Sequence, residues 1–136
     1  MPYLRDYHIL ISHSFHYSNH YERIVEWLND QSYFRWSNYS VSGDNPLDVS
    51  SNYELKQRLR DRIRCASCII VVSGMYAAYS EWIDFEIDCA IEYGKPIIGV
   101  KPWGQERVPE IIQRYADILV GWNRDSIVES IRNYAL

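Results

Sequence analysis

Apolar positions along the chain fall into five short runs, separated by longer stretches in which they recur every three or four residues. His8-Ile9-Leu10-Ile11-Ser12 is β-branched and apolar behind a polar lead, and it reads as a buried first strand. Aromatic residues at alternate and irregular positions in Phe34 to Val41 place a second strand near the end of that stretch. Ala66-Ser67-Cys68-Ile69-Ile70-Val71-Val72-Ser73-Gly74 is apolar on both faces, the pattern of a central parallel strand. Pro96-Ile97-Ile98-Gly99-Val100 and Asp117-Ile118-Leu119-Val120-Gly121-Trp122 supply a fourth and a fifth.

Helical spacing fills the intervals. Tyr21, Ile24, Val25, Trp27 and Leu28 share one face, with Ser18 or Asn19 as the expected N-cap. Leu55, Leu59 and Ile63 form a stripe within 52–64, opposite a basic run (Lys56, Arg58, Arg60, Arg62, Arg64) expected to be solvated. Ser80 is expected to cap a third helix that runs to about Tyr93, with Glu81, Asp84 and Glu86 placed in its early turns to suit the helix dipole and Gly94 as its stop. A short piece around Ile111 and Ile112 follows, and then a last helix from Asn123 with Ile127, Val128 and Ile131 facing inward. Strands alternating with helices predict an α/β, three-layer, flavodoxin-like fold, with a five-stranded parallel sheet in the order 2-1-3-4-5 and helices on both faces. Its binding crevice lies at the carboxyl ends of strands 1 and 3, so the loops 13–18, 42–51, 74–80 and 101–107 are the ones expected to matter.

Composition narrows the picture. At 136 residues, 47% hydrophobic and 24% charged, the chain is expected to form one globular domain over 1–136. A net charge of −4 gives no electrostatic case for nucleic acid. The apolar runs are too short to cross a bilayer, so no membrane partner is expected, and Met1 to Asp6 lacks the apolar core of a signal peptide, which makes the cytoplasm the expected location. Cys65-x-x-Cys68 and Cys89 have no second Cys pair to complete a zinc site or a disulfide framework, and their expected role is core packing. His16 and His20 stand one helical turn apart without an acid or Cys to complete a metal site, so no metal is expected, and His8 is expected at a strand edge.

Several occupants of this fold are excluded by their own requirements. A phosphoacceptor needs acids after the first strand and an Asp ending the third, where this chain has His13-Ser14 and Ser73-Gly74. A flavin phosphate loop is poorly matched by Ser12, Ser14 and Ser18 among aromatics, and no Gly-rich dinucleotide fingerprint, Walker loop or nucleophile elbow occurs. What remains is Ser80-Glu81-Trp82-Ile83-Asp84-Phe85-Glu86, in which Trp82 and Glu86 are one helical turn apart. Alone, this heptapeptide fits a packed indole and a solvated carboxylate better than it fits a site. Its helix directly follows the third strand, which puts both residues at the crevice mouth.

The motifs Ile9-Leu10-Ile11-Ser12-His13-Ser14, Ser80-x-Trp82-x-x-x-Glu86, Lys95 to Val100, Pro102-Trp103-Gly104 and Val120-Gly121-Trp122-Asn123, in that order, resemble the TIR domain superfamily. The resemblance is to the small bacterial TIR-like branch of Thoeris-type antiphage defence and covers roughly positions 7 to 134. It implies an NAD⁺-consuming enzyme in which Glu86 is the essential carboxylate for nicotinamide–ribose cleavage and Trp82 lines the pocket. Ser12, His13, Ser14 and Phe15 would surround nicotinamide and ribose, and Asp44 and Asn45 belong to the loop that covers the site. NAD⁺ is then substrate rather than resident cofactor. Self-association through 42–51, a phage-derived trigger and a separate effector protein are the implied partners. Gly43-Asp44-Asn45-Pro46 lacks the Arg-Asp before Pro-Gly of animal and plant relatives, and the usual Phe-Trp near the end is also missing. Both departures bear on assembly more than on chemistry. Two other readings stay open: a non-enzymatic TIR-type interaction module, and an enzyme resembling nucleoside deoxyribosyltransferases, whose glutamate acts as nucleophile.

Overall fold

The computed structural model describes residues 5–12, 18–40, 52–72, 76–101, 108 and 110–136; within these, the side chains of 18–20, 52–55 and 76–83 lie outside the description. The elements are β1 (Asp6–Ser12), α1 (Ser18–Asp30), β2 (Arg35–Asn38), α2 (Asn52–Cys65), β3 (Cys68–Val72), α3 (Tyr76–Glu92), β4 (Ile97–Lys101), α4 (Glu110–Tyr115), β5 (Ile118–Gly121) and α5 (Arg124–Tyr134). The strands form one parallel sheet in the order β2-β1-β3-β4-β5. β3 is central, and its five residues are all buried because helices cover both of its faces. α1 packs with α5 and α2 with α3, the two layers that right-handed crossovers produce from this strand order.

Side chains explain why the layers close. Ile24 and Leu28 of α1, Leu59 and Ile63 of α2, and Ile127, Val128 and Ile131 of α5 are buried with Ile9 to Ile11, Ile69 to Val72 and Ile98 in one core. α3 ends on Gly94 at φ 66°, a left-handed position open to glycine. There the Lys95 N–H donates to Ala90 O at 2.8 Å and the Gly94 N–H to Ile91 O at 3.1 Å, the paired bonds that close a helix C-terminus. The chain then enters β4, where the Ile97 N–H donates to Asp117 Oδ2 at 2.7 Å and so fixes the start of β5. Gly99 lets α4 approach closely, since a Cβ there would lie 2.9 Å from Leu119 Cδ1 and 3.1 Å from Ile112 Cγ2. Asn123 caps α5 by accepting from the Ser126 N–H at 3.0 Å.

Several expectations are corrected. α3 begins at Tyr76, so Ser80 is interior and not its N-cap. Tyr76-Ala77-Ala78-Tyr79 contains no helix breaker and two strong helix formers, so the helix nucleates one turn earlier. Asp84 and Glu86 therefore lie well inside α3, beyond the reach of its N-terminal dipole. Ser18 and Asn19 are likewise within α1 rather than before it. β2 occupies the first half of its stretch because it pairs with Asp6 to Ile9, and β1 starts two residues ahead of its apolar run. His8 lies not at a sheet edge but on β1, between β2 and β3, with its ring stacked on Tyr39 at 4.6 Å and Nε2 3.4 Å from Asp6 Oδ2. The basic face of α2 is not simply solvated. Lys56 Nζ and the Arg60 guanidinium stand 5.2 and 5.4 Å from the Phe85 ring centroid, and Arg60 also meets Glu92 at 3.3 Å. Of the CxxC pair, Cys68 is core but Cys65 is exposed at the end of α2.

Candidate functional site

β1 and β3 are neighbours, and Ser12, the last residue of β1, is in register with Val71. Their connections leave in opposite directions, toward β2 and toward β4, which makes the carboxyl ends of these two strands the switch point of the sheet. α3 departs from the same end of β3 and carries Glu86. Ser12 and Glu86 are each only 2% exposed. A carboxylate on a helix facing a hydroxyl at a strand end, both out of water, is unusual, because buried charged groups are normally paired. The solvated-surface reading of Glu86 is excluded.

The electrostatics follow from that burial. Loss of water raises the Glu86 pKa from 4.5 to about 8, and the nearby Ser12 hydroxyl opposes part of the rise. Ser12 is close enough to be felt, yet no hydrogen bond of ordinary geometry closes: Ser12 Oγ and Glu86 Oε2 are buried and unpartnered among the described residues. Asp84 Oδ1 is the third such atom. Buried polar atoms without partners are rare in native folds, and here all three lie on α3 or at the adjoining end of β1. Asp84 was not among the expected site residues, and its sequence position carried no signal of a half-buried carboxylate.

Of the other expected site residues, Trp82 lies on α3 one turn before Glu86, with its side chain outside the description. His13, Ser14, Phe15, Asp44 and Asn45 lie outside the described residues altogether, as does the loop 42–51. Among the described residues, no group of three or more His, Cys, Asp or Glu could hold a metal ion. The Cys68 thiol, pushed up to about 12 by burial in β3, is a packing group rather than a nucleophile. No helix among the described residues is long and apolar enough to cross a membrane.

A family model described as "Thoeris protein ThsB, TIR-like domain" matches residues 11–107, most of the chain, from the end of β1 through β3, α3 and β4. The chain belongs to the Thoeris ThsB TIR-like family. A comparison with curated protein sequences finds no match. Among solved structures, the ThsB-like chain is similar to a Clostridium botulinum CMP N-glycosidase, at 14% identity and a TM-score of 0.59, over 92% of this chain and 98% of that one. It is also similar to a de novo designed Rossmann 2x3 fold protein, at 15% identity and a TM-score of 0.51, over 93% and 89% of the two chains. At these identities the likeness is one of fold. The ThsB-like domain therefore combines a doubly wound TIR-type sheet with a buried carboxylate at its switch point, of which Oε2 has no partner among the described residues.

Proposed function

We propose that this chain is an N-glycoside-cleaving enzyme that breaks the nicotinamide–ribose bond of NAD⁺, with Glu86 as the carboxylate at the reacting carbon. The observation that carries the proposal is Glu86 itself, 2% exposed with Oε2 unpartnered among the described residues, beside Ser12 at the sheet's switch point. A fold does not need such a group for its own stability, since a buried carboxyl without partners costs free energy. Membership of the ThsB TIR-like family and fold similarity to a protein named a CMP N-glycosidase both support chemistry at a glycosidic bond.

The chemistry suits a lone carboxylate. As the C1′–N bond breaks, its electron pair neutralises the pyridinium nitrogen, and nicotinamide leaves uncharged without needing a general acid. Positive charge develops on C1′ and the ring oxygen, as in other glycoside cleavages. An ionised Glu86 stabilises that charge far more strongly out of water than in it. The cationic substrate in turn favours the ionised carboxylate, offsetting the burial that holds Glu86 neutral in the free protein. Water adding to C1′, with loss of a proton, gives ADP-ribose; an internal nucleophile gives a cyclic isomer and an outside one a conjugate. The product acts as a signal in antiphage defence and is read by a separate effector after a phage-derived trigger. Self-association through 42–51 completes the assembly.

One observation favours a second reading. A carboxyl with a pKa of about 8 is protonated at neutral pH and could donate that proton to a neutral base such as cytosine, the leaving group in a CMP N-glycosidase reaction. Mass spectrometry of nucleotide pools tests the proposal, comparing phage-challenged cells that express the wild type or Glu86→Ala. Loss of NAD⁺ with a new ADP-ribose-derived species, absent with Glu86→Ala, supports the first reading. Loss of CMP with free cytosine supports the second. Unchanged pools in both strains overturn an enzymatic role and leave an interaction module, and base exchange between nucleosides would indicate a transferase.

A further inference from the structure

α2 follows β2, so its first turns lie on the carboxyl-end side of the sheet, and Lys56 stands in the second of them. Lys56 Nζ lies over the Phe85 ring, 5.2 Å from its centroid, and the Arg60 guanidinium, one turn further along α2, lies 5.4 Å from the same centroid. Phe85 is the residue before Glu86 on α3, so this contact sets Lys56 beside the turn of α3 that carries the carboxylate. The two cations differ in what neutralises them. Arg60 has Glu92 at 3.3 Å, six residues beyond Glu86 on α3, whereas half-buried Lys56 forms no hydrogen bond or ion pair among the described residues. A ring face holds an ammonium in place without neutralising it, and a like charge one turn away makes an anion beside it more favourable.

We infer that Lys56 is a specificity-determining residue: it binds the phosphate on C5′ of the ribosyl group, so that the site takes nucleotides in preference to nucleosides. The inference rests on the proposal that Glu86 acts at C1′. The C5′ phosphate hangs from the other side of the ring oxygen, so a substrate with C1′ at Glu86 carries its anion about a side chain's length away. An ammonium is a compact charge with donors to spare for phosphate oxygens, and Phe85 restricts where this one sits. NAD⁺ and CMP each bear a phosphate at C5′, so the role of Lys56 does not depend on which base leaves. Binding energy from this remote group positions C1′ against the carboxylate, and a nucleoside forgoes it.

The test compares kcat/KM for NAD⁺ and for nicotinamide riboside, which has the same scissile bond and no phosphate, in wild type, Lys56→Gln and Lys56→Arg. Dividing one enzyme's ratio by another's cancels the intrinsic reactivities of the two substrates. Lys56→Gln is expected to lower the NAD⁺-to-riboside ratio by about tenfold or more, the worth of a charge-assisted hydrogen bond, with the riboside unaffected. Lys56→Arg keeps the charge and should keep most of the ratio. Arg58→Gln removes a charge from an exposed position on the same helix and should leave the ratio unchanged. An unchanged ratio in Lys56→Gln overturns the inference. So does an equal loss on both substrates, which would mark packing on Phe85 alone, or an equal fall in Arg58→Gln, which would mark the general field of α2. If Lys56→Gln does not fold, Lys56→Met, which keeps an apolar stem over the ring, reads the same ratio. If the wild type cleaves CMP instead, CMP against cytidine gives the same comparison. If it cleaves neither nucleotide, the proposed function falls, and calorimetric binding of NAD⁺ and nicotinamide riboside decides the inference separately. About tenfold tighter binding of NAD⁺ that is lost in Lys56→Gln supports the phosphate contact, whereas equal affinities or no binding overturn it.

Discussion

Replacing Glu86 by Gln is expected to stabilise the folded protein, and increasingly so as pH rises. Below pH 4.5 the two side chains are both neutral, and the variants should differ little. In the folded protein, burial holds the proton on Glu86 up to about pH 8, whereas the unfolded chain releases it near the ordinary value of 4.5. Between those values the folded state binds more protons than the unfolded one, so its stability falls as pH rises, and the fall stops once Glu86 ionises in both states. Glutamine has no proton to lose and removes this dependence. At about 1.4 kcal/mol per pH unit, the window from 4.5 to about 8 gives on the order of 5 kcal/mol as a ceiling, which any water reaching the carboxylate would reduce. Urea unfolding of wild type and Glu86→Gln at pH 5, 7 and 8.5 measures the difference, and taking the difference cancels every other titrating group. A gap that widens in favour of Gln through this range supports the picture of a strained, solvent-excluded acid. A constant gap, or a Gln variant that loses ground as pH rises, would mean that a counter-charge already holds Glu86 ionised and would refute the reasoning.

Other consequences can be measured with the same protein. If Glu86 acts ionised on NAD⁺, kcat/KM should rise tenfold per pH unit up to about pH 8 and then level, with the pKa seen in kcat lower because the bound cation favours the carboxylate; a profile that falls above pH 8 would indicate the general-acid reading. Gly99→Ala places a Cβ 2.9 Å from Leu119 Cδ1 and 3.1 Å from the fully buried Ile112 Cγ2, and should cost about 1–2 kcal/mol in urea unfolding. Gly94→Ala forces a left-handed residue at φ 66° and should cost roughly 1 kcal/mol with an unchanged m-value. Asn123→Ala removes the acceptor of the Ser126 N–H and should lower stability by about 1 kcal/mol, while Asn123→Asp should retain most of it.

The parts of the molecule legible from sequence are those fixed by local chemistry. Cys68 to Val72 had to be a covered strand, Gly94 had to stop a helix, and Asn123 had to start one, because each answers to its own backbone and burial demands. Sheet order followed from alternation and handedness. The start of α3 was misplaced because Ser80, followed by acids, mimics a cap, while the true start at Tyr76 lies in residues with no distinctive signal. The site was half legible. Spacing and resemblance singled out Glu86, but nothing in an acidic helix says which of Glu81, Asp84, Glu86 or Asp88 loses its water. That is decided by the packing of α3 against the end of β1, a contact between positions far apart in the chain. Ser12 Oγ and Asp84 Oδ1 are likewise buried there without partners among the described residues.

The most direct measurement of the central claim is chromatographic detection of free nicotinamide from NAD⁺, with wild type and Glu86→Gln assayed side by side. Release by the wild type and a loss of at least about a hundredfold in Glu86→Gln, with the variant folded and at least as stable, is the expected result for removal of one preorganised charge from a solvent-excluded site. Equal release by both proteins, or none by either when NAD⁺ is bound, would contradict the assignment of Glu86 as the carboxylate that cleaves the bond.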